Sequence, residues 1–324
     1  MRVLVTGATG FYGGAIARRL HAAGHALLCT GRDATRGAQL TWAGMAFQSA
    51  DLCDSEALRA LCAGQDAVVH CAALSAPWGP LAAFQRANVL ATERLVAAAT
   101  SAGVRRLVHI STPSIYMGQG SRIGAREDDP LPPPINHYAA TKLAAEASVL
   151  RAHAAGLPSI VLRPRALFGP GDTTIFPRLL RALSTGRMPI VGSGDNRVDL
   201  TFIDNAVSAV VCALEASASA LGQAYNISNG EPVRLWEFLR ALALDLGYPP
   251  PRFHVSRQLA LRLSGVAEAV YGAFPRLGEP LLTRYTVSVL ADSMTLDIHK
   301  AEAQLGYRPA VSIEEGKARF VASL

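Results

Sequence analysis

The chain has 324 residues, of which half are hydrophobic and 6% are aromatic, and its formal net charge is +6. This length accommodates one large α/β domain or two smaller ones around a sizeable core. The 31 lysines and arginines are scattered, which indicates a solvated surface and no nucleic-acid partner. The five cysteines show neither CxxC nor Cys/His ligand spacing, so we expect a reduced, cytoplasmic protein without a metal site. We expect neither a signal peptide nor the roughly 18-residue apolar stretch of a membrane-spanning helix.

Short apolar runs alternate with helical stretches through the first 110 residues. The apolar runs, which we interpret as buried parallel strands, are 2–7, 26–31, 46–51, 67–73 and 106–112. The helical stretches between them are 11–24, 54–64 and 81–103. This alternation predicts an α/β fold with a doubly wound parallel sheet, which is Rossmann-like.

The pattern loosens after residue 112. Residues 113–137 are rich in glycine and proline and indicate a loop, and a helix resumes over 138–155. A further strand is predicted over 159–169 and a turn at 169–172. Beyond residue 170 the segments are shorter and mixed, which indicates a smaller second region.

The stretch "TGATGFYGG" follows the first strand and opens the first helix. Gly7, Gly10 and Gly13 have the spacing GxxGxxG, with Phe11 and Tyr12 inside the same turn. Backbone N–H groups can approach a pyrophosphate only where no side chain blocks them, and the helix N-terminus adds partial positive charge. The turn therefore predicts a dinucleotide site, against the alternative of a plain tight turn between strand and helix.

Together with the downstream YxxxK of "YAATK", this turn resembles the extended short-chain dehydrogenase/reductase family over most of the chain. The resemblance implies a dinucleotide-binding Rossmann domain over 1–170, to which parts of 195–230 return. It also implies a smaller, interleaved substrate-binding region over 171–324.

The end of the second strand bears on the choice of cofactor. An acid at that place hydrogen-bonds the adenosine ribose and selects NAD. Gly31 and Arg32 occupy this place instead. Arg32, helped by Arg36, could form a bidentate hydrogen bond with the 2′-phosphate of NADP. We predict NADP(H), with NAD as the alternative. The resemblance implies further cofactor contacts at Asp51 and Leu52 near the adenine, Ala72 and Ala73 along the cofactor, Asn88 with a structural and relay role, and Pro164 beside the nicotinamide.

Tyr138 and Lys142 are spaced i and i+4, so they lie on one face of a helix. A free tyrosine, with a pKa near 10, is a poor base at neutral pH, and a nearby ammonium would lower that pKa. The resemblance adds a third catalytic residue, Thr112, whose hydroxyl would hold the substrate oxygen. Ser111 and Ser114 remain alternatives for this role.

The tail at 279–316 resembles the 3β-hydroxysteroid dehydrogenase-like branch, which includes sterol dehydrogenases and bacterial 2-alkyl-3-oxoalkanoate reductases. This resemblance implies hydride transfer at a 3-keto or 3-hydroxy group of a hydrophobic substrate, either a β-keto acid or a sterol-like molecule. Sugar-nucleotide epimerases or dehydratases share the same motifs and remain an alternative. A second alternative is a non-catalytic dinucleotide-binding sensor.

Two further expectations concern partners. The mostly apolar segment 254–278 could form a lid over the substrate, a peripheral membrane contact or a helix packed on the core. By analogy with the family, we expect a homodimer that pairs through the helices at 81–103 and 138–155.

Overall fold

The computed structural model describes residues 1–324, except for the side chain of Pro275. The strands are β1 (Arg2–Thr6), β2 (Ala26–Gly31), β3 (Ala46–Ser49), β4 (Ala67–His70), β5 (Arg106–Ile110), β6 (Arg122–Ala125), β7 (Ser159–Pro164), β8 (Leu167–Phe168), β9 (Ile190–Val191), β10 (Arg197–Val198), β11 (Thr201–Phe202), β12 (Ala224–Ile227), β13 (Val233–Arg234), β14 (His254–Val255) and β15 (Met294–Leu296). The helices are α1 (Phe11–Ala22), α2 (Ala34–Trp42), α3 (Ser55–Cys62), α4 (Leu81–Phe84), α5 (Ala91–Ser101), α6 (His137–Ala154), α7 (Phe176–Ser184), α8 (Ile203–Glu215), α9 (Leu235–Asp245), α10 (Arg257–Ala273), α11 (Arg284–Ala291), α12 (His299–Leu305) and α13 (Ile313–Val321). A π-helical segment, Gln85–Leu90, joins α4 to α5, and 3-10 turns lie at Pro113–Tyr116, Ala218–Ala220 and Pro275–Leu277.

Seven strands form one parallel sheet in the order β12, β7, β5, β4, β1, β2, β3. Within it, Val3 of β1 lies opposite Leu27 of β2 on one side and Ala67 of β4 on the other. The predicted doubly wound sheet is thereby confirmed. Because the strand order reverses between β1 and β4, a crevice is expected at their carboxyl ends, where folds of this kind bind ligands.

Alternate residues of one strand enter two separate cores. Val3 and Val5 pack in the core that contains residues of α1 and α8, whereas Leu4 packs in the core that contains residues of α3, α5 and α6. Successive side chains of a strand point to opposite faces of the sheet. The helices therefore cover both faces, which accounts for the near-continuous apolar runs of the strands.

The C-terminal half of the chain is interleaved with this sheet. A four-stranded sheet has the order β13, β10, β15, β6, while β11 pairs with β8 and β14 with β9. The chain returns to the main sheet at β12, which pairs in parallel with β7, and residues of α8 share a core with α1. The region that follows α6 therefore contributes both to the main sheet and to the smaller sheets beside it.

One helix was not expected from the sequence. Residues 34–42 form α2, and the Asp33 side chain caps it by accepting the N–H of Arg36 at 3.0 Å. The apolar residues of this stretch are few, and only Gly37 and Leu40 are buried. Because so few of its residues are buried, the hydrophobic periodicity of this helix is weak, and the sequence pattern did not predict it.

The strand predicted over 159–169 is interrupted. β7 ends at Pro164 and β8 begins at Leu167, and Ala166 between them has φ +42°. A left-handed conformation at a non-glycine residue breaks the extended ladder. The predicted strand at 67–73 is likewise shorter, because β4 ends at His70 and a loop follows.

Residues 254–278 form β14, α10 and a 3-10 turn. Ala260 and Ser264 of α10 are buried, and Ala260 and Leu261 pack in the main core, so one face of this helix contacts the core. Its exposed apolar side chains are Leu259, Leu263, Val266 and Val270. Within the described part of the chain, no helix combines the length and apolar character that a membrane span requires.

Candidate active site

The glycine turn connects β1 to α1 and packs too closely against the backbone to accept side chains. Gly7 has φ +69°, and a Cβ there would lie 2.8 Å from the backbone of Ala72. A Cβ on Gly13 would overlap the carbonyl oxygen of Gly7. Gly10 is the N-cap of α1, and no side chain among the described residues caps it, so the first N–H groups of the helix stay available. These features fit the pyrophosphate of a dinucleotide.

Phe11 and Tyr12 direct their side chains away from this turn. Both side chains are buried in the core, and the Tyr12 hydroxyl donates to the carbonyl oxygen of Ala206 in α8 at 2.6 Å. Burial raises the pKa of Tyr12, so its hydroxyl stays a donor. These two predicted cofactor residues can therefore reach a cofactor through their backbone N–H groups.

The segment from the end of β2 to the start of α2 carries two arginines. The Arg36 guanidinium donates to the carbonyl oxygen of Thr9 at 3.2 Å and lies 3.5 Å from the Asp33 carboxylate. Asp33 is thus engaged as a helix cap and as an ion-pair partner. Arg32 is exposed and forms no ion pair with any described residue. A side chain in place of Gly31 would overlap Thr9, so the end of β2 has no room for a ribose-binding acid.

Asp51, the predicted adenine contact, follows β3. One of its carboxylate oxygens accepts the N–H of Cys53 at 2.8 Å, and the other pairs with Arg86 at 2.5 Å. The Cys53 N–H and then Arg86 lower the pKa of Asp51. The carboxylate is therefore ionised at neutral pH, and Leu52 beside it is half-buried.

The loop after β4 lies between the end of β1 and α6. The N–H of Ala72 donates to the Thr6 hydroxyl at 3.3 Å, and Ala73 is exposed. Asn88, in the π-helical segment, accepts the N–H of Leu74 at 2.7 Å and donates to its carbonyl oxygen at 3.2 Å. The Asn88 amide also donates to Thr141 of α6 at 3.1 Å. Asn88 therefore positions this loop against α6.

Thr112 lies just beyond β5 and caps the following 3-10 turn. Its hydroxyl accepts the N–H of Ser114 at 3.2 Å and donates to the Ser114 hydroxyl at 3.0 Å. Tyr138 lies in the first turn of α6, whose N-cap Asn136 accepts the N–H of Ala139 at 2.8 Å. The end of β5 and the start of α6 thus bring the hydroxyls of Thr112 and Tyr138 close together.

Burial raises the pKa of Tyr138 to about 12, and Tyr285 adds to the increase, whereas the hydroxyls of Thr112 and Ser75 lower it. This direction is opposite to the one predicted from the sequence, because desolvation outweighs the neighbouring hydroxyls. Ser75, in the loop after β4, is a site residue that the sequence interpretation did not identify.

Lys142 is buried and donates to the carbonyl oxygen of Ile110 at 2.5 Å, at the end of β5. Its ammonium also lies 3.4 Å from Nε2 of His109. Burial lowers the pKa of Lys142 to about 8. Burial likewise lowers the pKa of His109 and brings that of His70 to about 3, so both rings beneath the site are neutral.

A buried ion pair joins the catalytic helix to the sheet. Arg163 of β7 donates through Nε to the Glu146 carboxylate of α6 at 3.1 Å, and both side chains are buried. Arg163 also donates to the Tyr116 hydroxyl, which in turn donates to Asn226 of β12 at 2.9 Å. Pro164, the predicted nicotinamide neighbour, is the buried last residue of β7.

The C-terminal region reaches the catalytic hydroxyls through Tyr285 of α11, whose hydroxyl is hydrogen-bonded to that of Ser114 at 2.9 Å. A cleft of about 900 Å³ is lined by other residues of α11, including Arg284, which precedes this tyrosine in the sequence. Its lining is formed by residues 118–121 and 133–135 and by Arg257, Leu261, Arg284, Ser288 and Asp292. Tyr285 lies in the segment 279–316, which resembles the 3β-hydroxysteroid dehydrogenase-like branch. No local sequence pattern marks it as a candidate site residue.

A model of the NAD dependent epimerase/dehydratase family matches residues 3–228. The 2-alkyl-3-oxoalkanoate reductase of Stenotrophomonas maltophilia is 38% identical over 334 residues, which cover 100% of this chain and 99% of that protein. The 3beta-hydroxysteroid-dehydrogenase/decarboxylase isoform 1 of Arabidopsis thaliana is 36% identical over 273 residues, or 80% of this chain and 62% of that protein.

Among solved structures, that of MoeE5 in complex with UDP-glucuronic acid and NAD is similar with a TM-score of 0.76 and 28% identity. The similarity covers 100% of this chain and 98% of that chain.

Proposed function

Because the chain belongs to the NAD dependent epimerase/dehydratase family and is an oxidoreductase with a nicotinamide dinucleotide, we propose that it reduces the 3-keto group of a hydrophobic substrate. The observation that carries the proposal is the contact of Tyr138 with Thr112 and with Ser75 of the loop after β4, with Lys142 one turn further along α6. The 38% identical relative is named as a 2-alkyl-3-oxoalkanoate reductase, which supports this substrate class.

Each member of the cluster has a distinct role in the proposed reduction. A bound nicotinamide supplies the hydride that reaches the carbonyl carbon. Tyr138 donates its proton to the carbonyl oxygen, and its raised pKa keeps the phenol protonated at neutral pH until then. Thr112 holds the same oxygen by a hydrogen bond. Lys142 holds the cofactor ribose with an ammonium that is still charged below pH about 8.

We further propose that NADP(H) is preferred over NAD(H). Gly31 leaves no acid at the end of β2, and Asp33 is already engaged by α2 and Arg36. Arg32 is exposed and forms no ion pair with a described residue, so its guanidinium is available to a 2′-phosphate.

The test is oxidation of NADPH and NADH with a panel of β-keto acids and 3-ketosterols. We expect turnover with NADPH, a loss of at least about 100-fold in Tyr138→Phe, and a rise in the KM for NADPH but not for NADH in Arg32→Ala. Absence of turnover with every carbonyl, or full activity of Tyr138→Phe, would contradict the proposed reduction.

A sugar-nucleotide epimerase or dehydratase is a second candidate, because MoeE5 is described in complex with a UDP-sugar and NAD. Two cations of the cleft, Arg257 and Arg284, are already paired with Asp292 and Glu268 at 2.6 Å each, which disfavours a nucleotide diphosphate there. NAD that stays bound through purification, together with conversion of a UDP-sugar, would favour this candidate.

A further inference from the structure

Arg165 is a buried arginine without a carboxylate partner. It is 5% exposed, its Nε has no hydrogen-bond partner among the described residues, and Nη1 contacts only the Met117 sulfur, at 3.7 Å. Asp199 is near enough to favour the charged guanidinium, yet it lies outside ion-pair range of Arg165. A buried charge with no carboxylate in ion-pair range is costly to a fold. Asp199 compensates the guanidinium only from a distance, so Arg165 keeps donors for an anion in direct contact.

The backbone holds this residue in one place. The N–H of Arg165 donates to Ile227 of β12 at 2.9 Å, and the Thr201 hydroxyl donates to its carbonyl oxygen at 2.5 Å. Ala166 next to it has φ +42°, a left-handed conformation that strains a non-glycine residue. Arg165 thus lies just past the carboxyl end of β7, at the edge of the sheet where ligands bind.

Tyr285 connects Arg165 to the catalytic hydroxyls. Its hydroxyl is bonded to Ser114, and Ser114 is bonded to Thr112. Tyr285 also lies close enough to both Arg165 and Tyr138 to influence their protonation. Arg165 and Tyr138 therefore both lie within electrostatic range of Tyr285, whose hydroxyl is bonded to Ser114.

The geometry points to a carboxylate-binding site formed by the Arg165 guanidinium and the Tyr285 hydroxyl. This inference rests on the proposed function and narrows its substrate to a 3-oxo acid. Such an acid carries its carboxylate two carbons from the reacting carbonyl, so the carboxylate meets Arg165 and Tyr285 while the carbonyl lies between Thr112 and Tyr138. A neutral sterol ketone has no group for this cation, and the cleft cations Arg257 and Arg284 are already paired.

The test compares a stable hydroxy acid with its neutral ester in the oxidative direction. Wild type and Arg165→Met are assayed with NADP⁺ on 2-methyl-3-hydroxydecanoate and on its methyl ester. We expect Arg165→Met to lower kcat/KM for the acid by about 30-fold or more and to leave that for the ester within about threefold. An equal loss for acid and ester, or no loss for either, would overturn the inference.

A binding measurement separates this inference from the proposed function. Decanoate and 1-decanol are titrated by calorimetry into each protein at saturating NADP⁺. We expect Arg165→Met to weaken decanoate at least about tenfold and to leave decanol unchanged. Unchanged decanoate binding overturns the site whether or not the hydroxy acid is turned over. Absence of turnover with weakened decanoate binding refutes the reductase and retains the anion site.

Two more variants distinguish the loss of the proposed carboxylate site from a folding defect in Arg165→Met. Tyr285→Phe removes a single hydroxyl, and we expect it to lower the preference for acid over ester about fivefold. Arg284→Met is the control, because this arginine directly precedes Tyr285 in α11 but is paired with Glu268. A change in the acid-to-ester ratio in Arg284→Met as large as that in Arg165→Met would contradict the assignment.

Discussion

Lys142 and Tyr138 show how burial sets protonation at the site. Desolvation disfavours the charged form of each group, so it lowers the pKa of the lysine to about 8 and raises that of the tyrosine to about 12. The two groups are thus an ammonium and a neutral phenol at pH 7. This is the protonation that a proton donor to a carbonyl requires.

The buried ammonium of Lys142 is expected to destabilise the protein. Because the pKa of Lys142 falls from 10.5 to about 8 on folding, the unfolded chain binds more protons between these pH values. The destabilisation is complete below pH 8 and disappears as pH rises towards 10.5. We predict that Lys142→Met increases the free energy of unfolding at pH 7 by about 1–3 kcal/mol and abolishes reductase activity. Urea unfolding at pH 7 and pH 10 checks this, and a less stable variant at pH 7 would contradict it.

At the scale of elements, the position of α6 depends on its junction with β7. The Arg163–Glu146 pair is buried on both sides, so it orients the helix that carries Tyr138 and Lys142. Breaking a buried pair leaves one charge uncompensated, whereas removing both partners does not. The junction therefore matters more for the placement of the helix than for net stability.

We predict that Glu146→Gln lowers the free energy of unfolding by about 3 kcal/mol and that the double variant Glu146→Met/Arg163→Met recovers most of the loss. Denaturant unfolding measures both. Asp128→Asn is the control, because the Arg126–Asp128 pair is exposed and separated by 3.6 Å, and we expect no measurable change there. Equal losses in Glu146→Gln and in the double variant would indicate a packing defect instead.

At the scale of the whole molecule, α10 presents an apolar stripe to solvent. The stripe consists of Leu259, Leu263, Val266 and Val270, and Phe274 continues it. The exposed arginines at 252, 262 and 276 lie along the same segment, and none of them forms an ion pair with a described residue. An apolar helix face flanked by cations suits an anionic membrane surface, and the adjoining cleft would receive a hydrophobic substrate from it.

We therefore predict that the protein co-sediments with phosphatidylglycerol vesicles, less with phosphatidylcholine vesicles, and less in high salt. Leu263→Glu should reduce binding at least about fivefold. The control is Leu244→Glu on α9, because Leu244 is 64% exposed and Leu263 is 54% exposed. Equal effects of the two variants would contradict a specific role of α10. The homodimer that we expect to pair through the helices at 81–103 and 138–155 stays a prediction.

Local patterns in the sequence were enough to predict the fold class correctly, and they also indicated the residues of the candidate site. The doubly wound sheet follows from the alternation of short apolar runs and helical stretches. The glycine motif and YxxxK are each contained in one short, continuous segment of the chain. The resemblance to the extended short-chain dehydrogenase/reductase family is confirmed by the family match and the relatives. These features depend on contacts between near neighbours in sequence, which a linear pattern records.

Only the tertiary structure decided which groups surround the reacting atoms. Tyr285 is 171 residues from Ser114, and its contact depends on α11 being placed against the loop after β5. Ser75 and Arg165 follow β4 and β7, whose carboxyl ends lie at the same edge of the sheet, so their place in the proposed site depends on the fold. The raised pKa of Tyr138 has the same origin, because desolvation depends on all the elements that pack around the phenol and not on its spacing from Lys142.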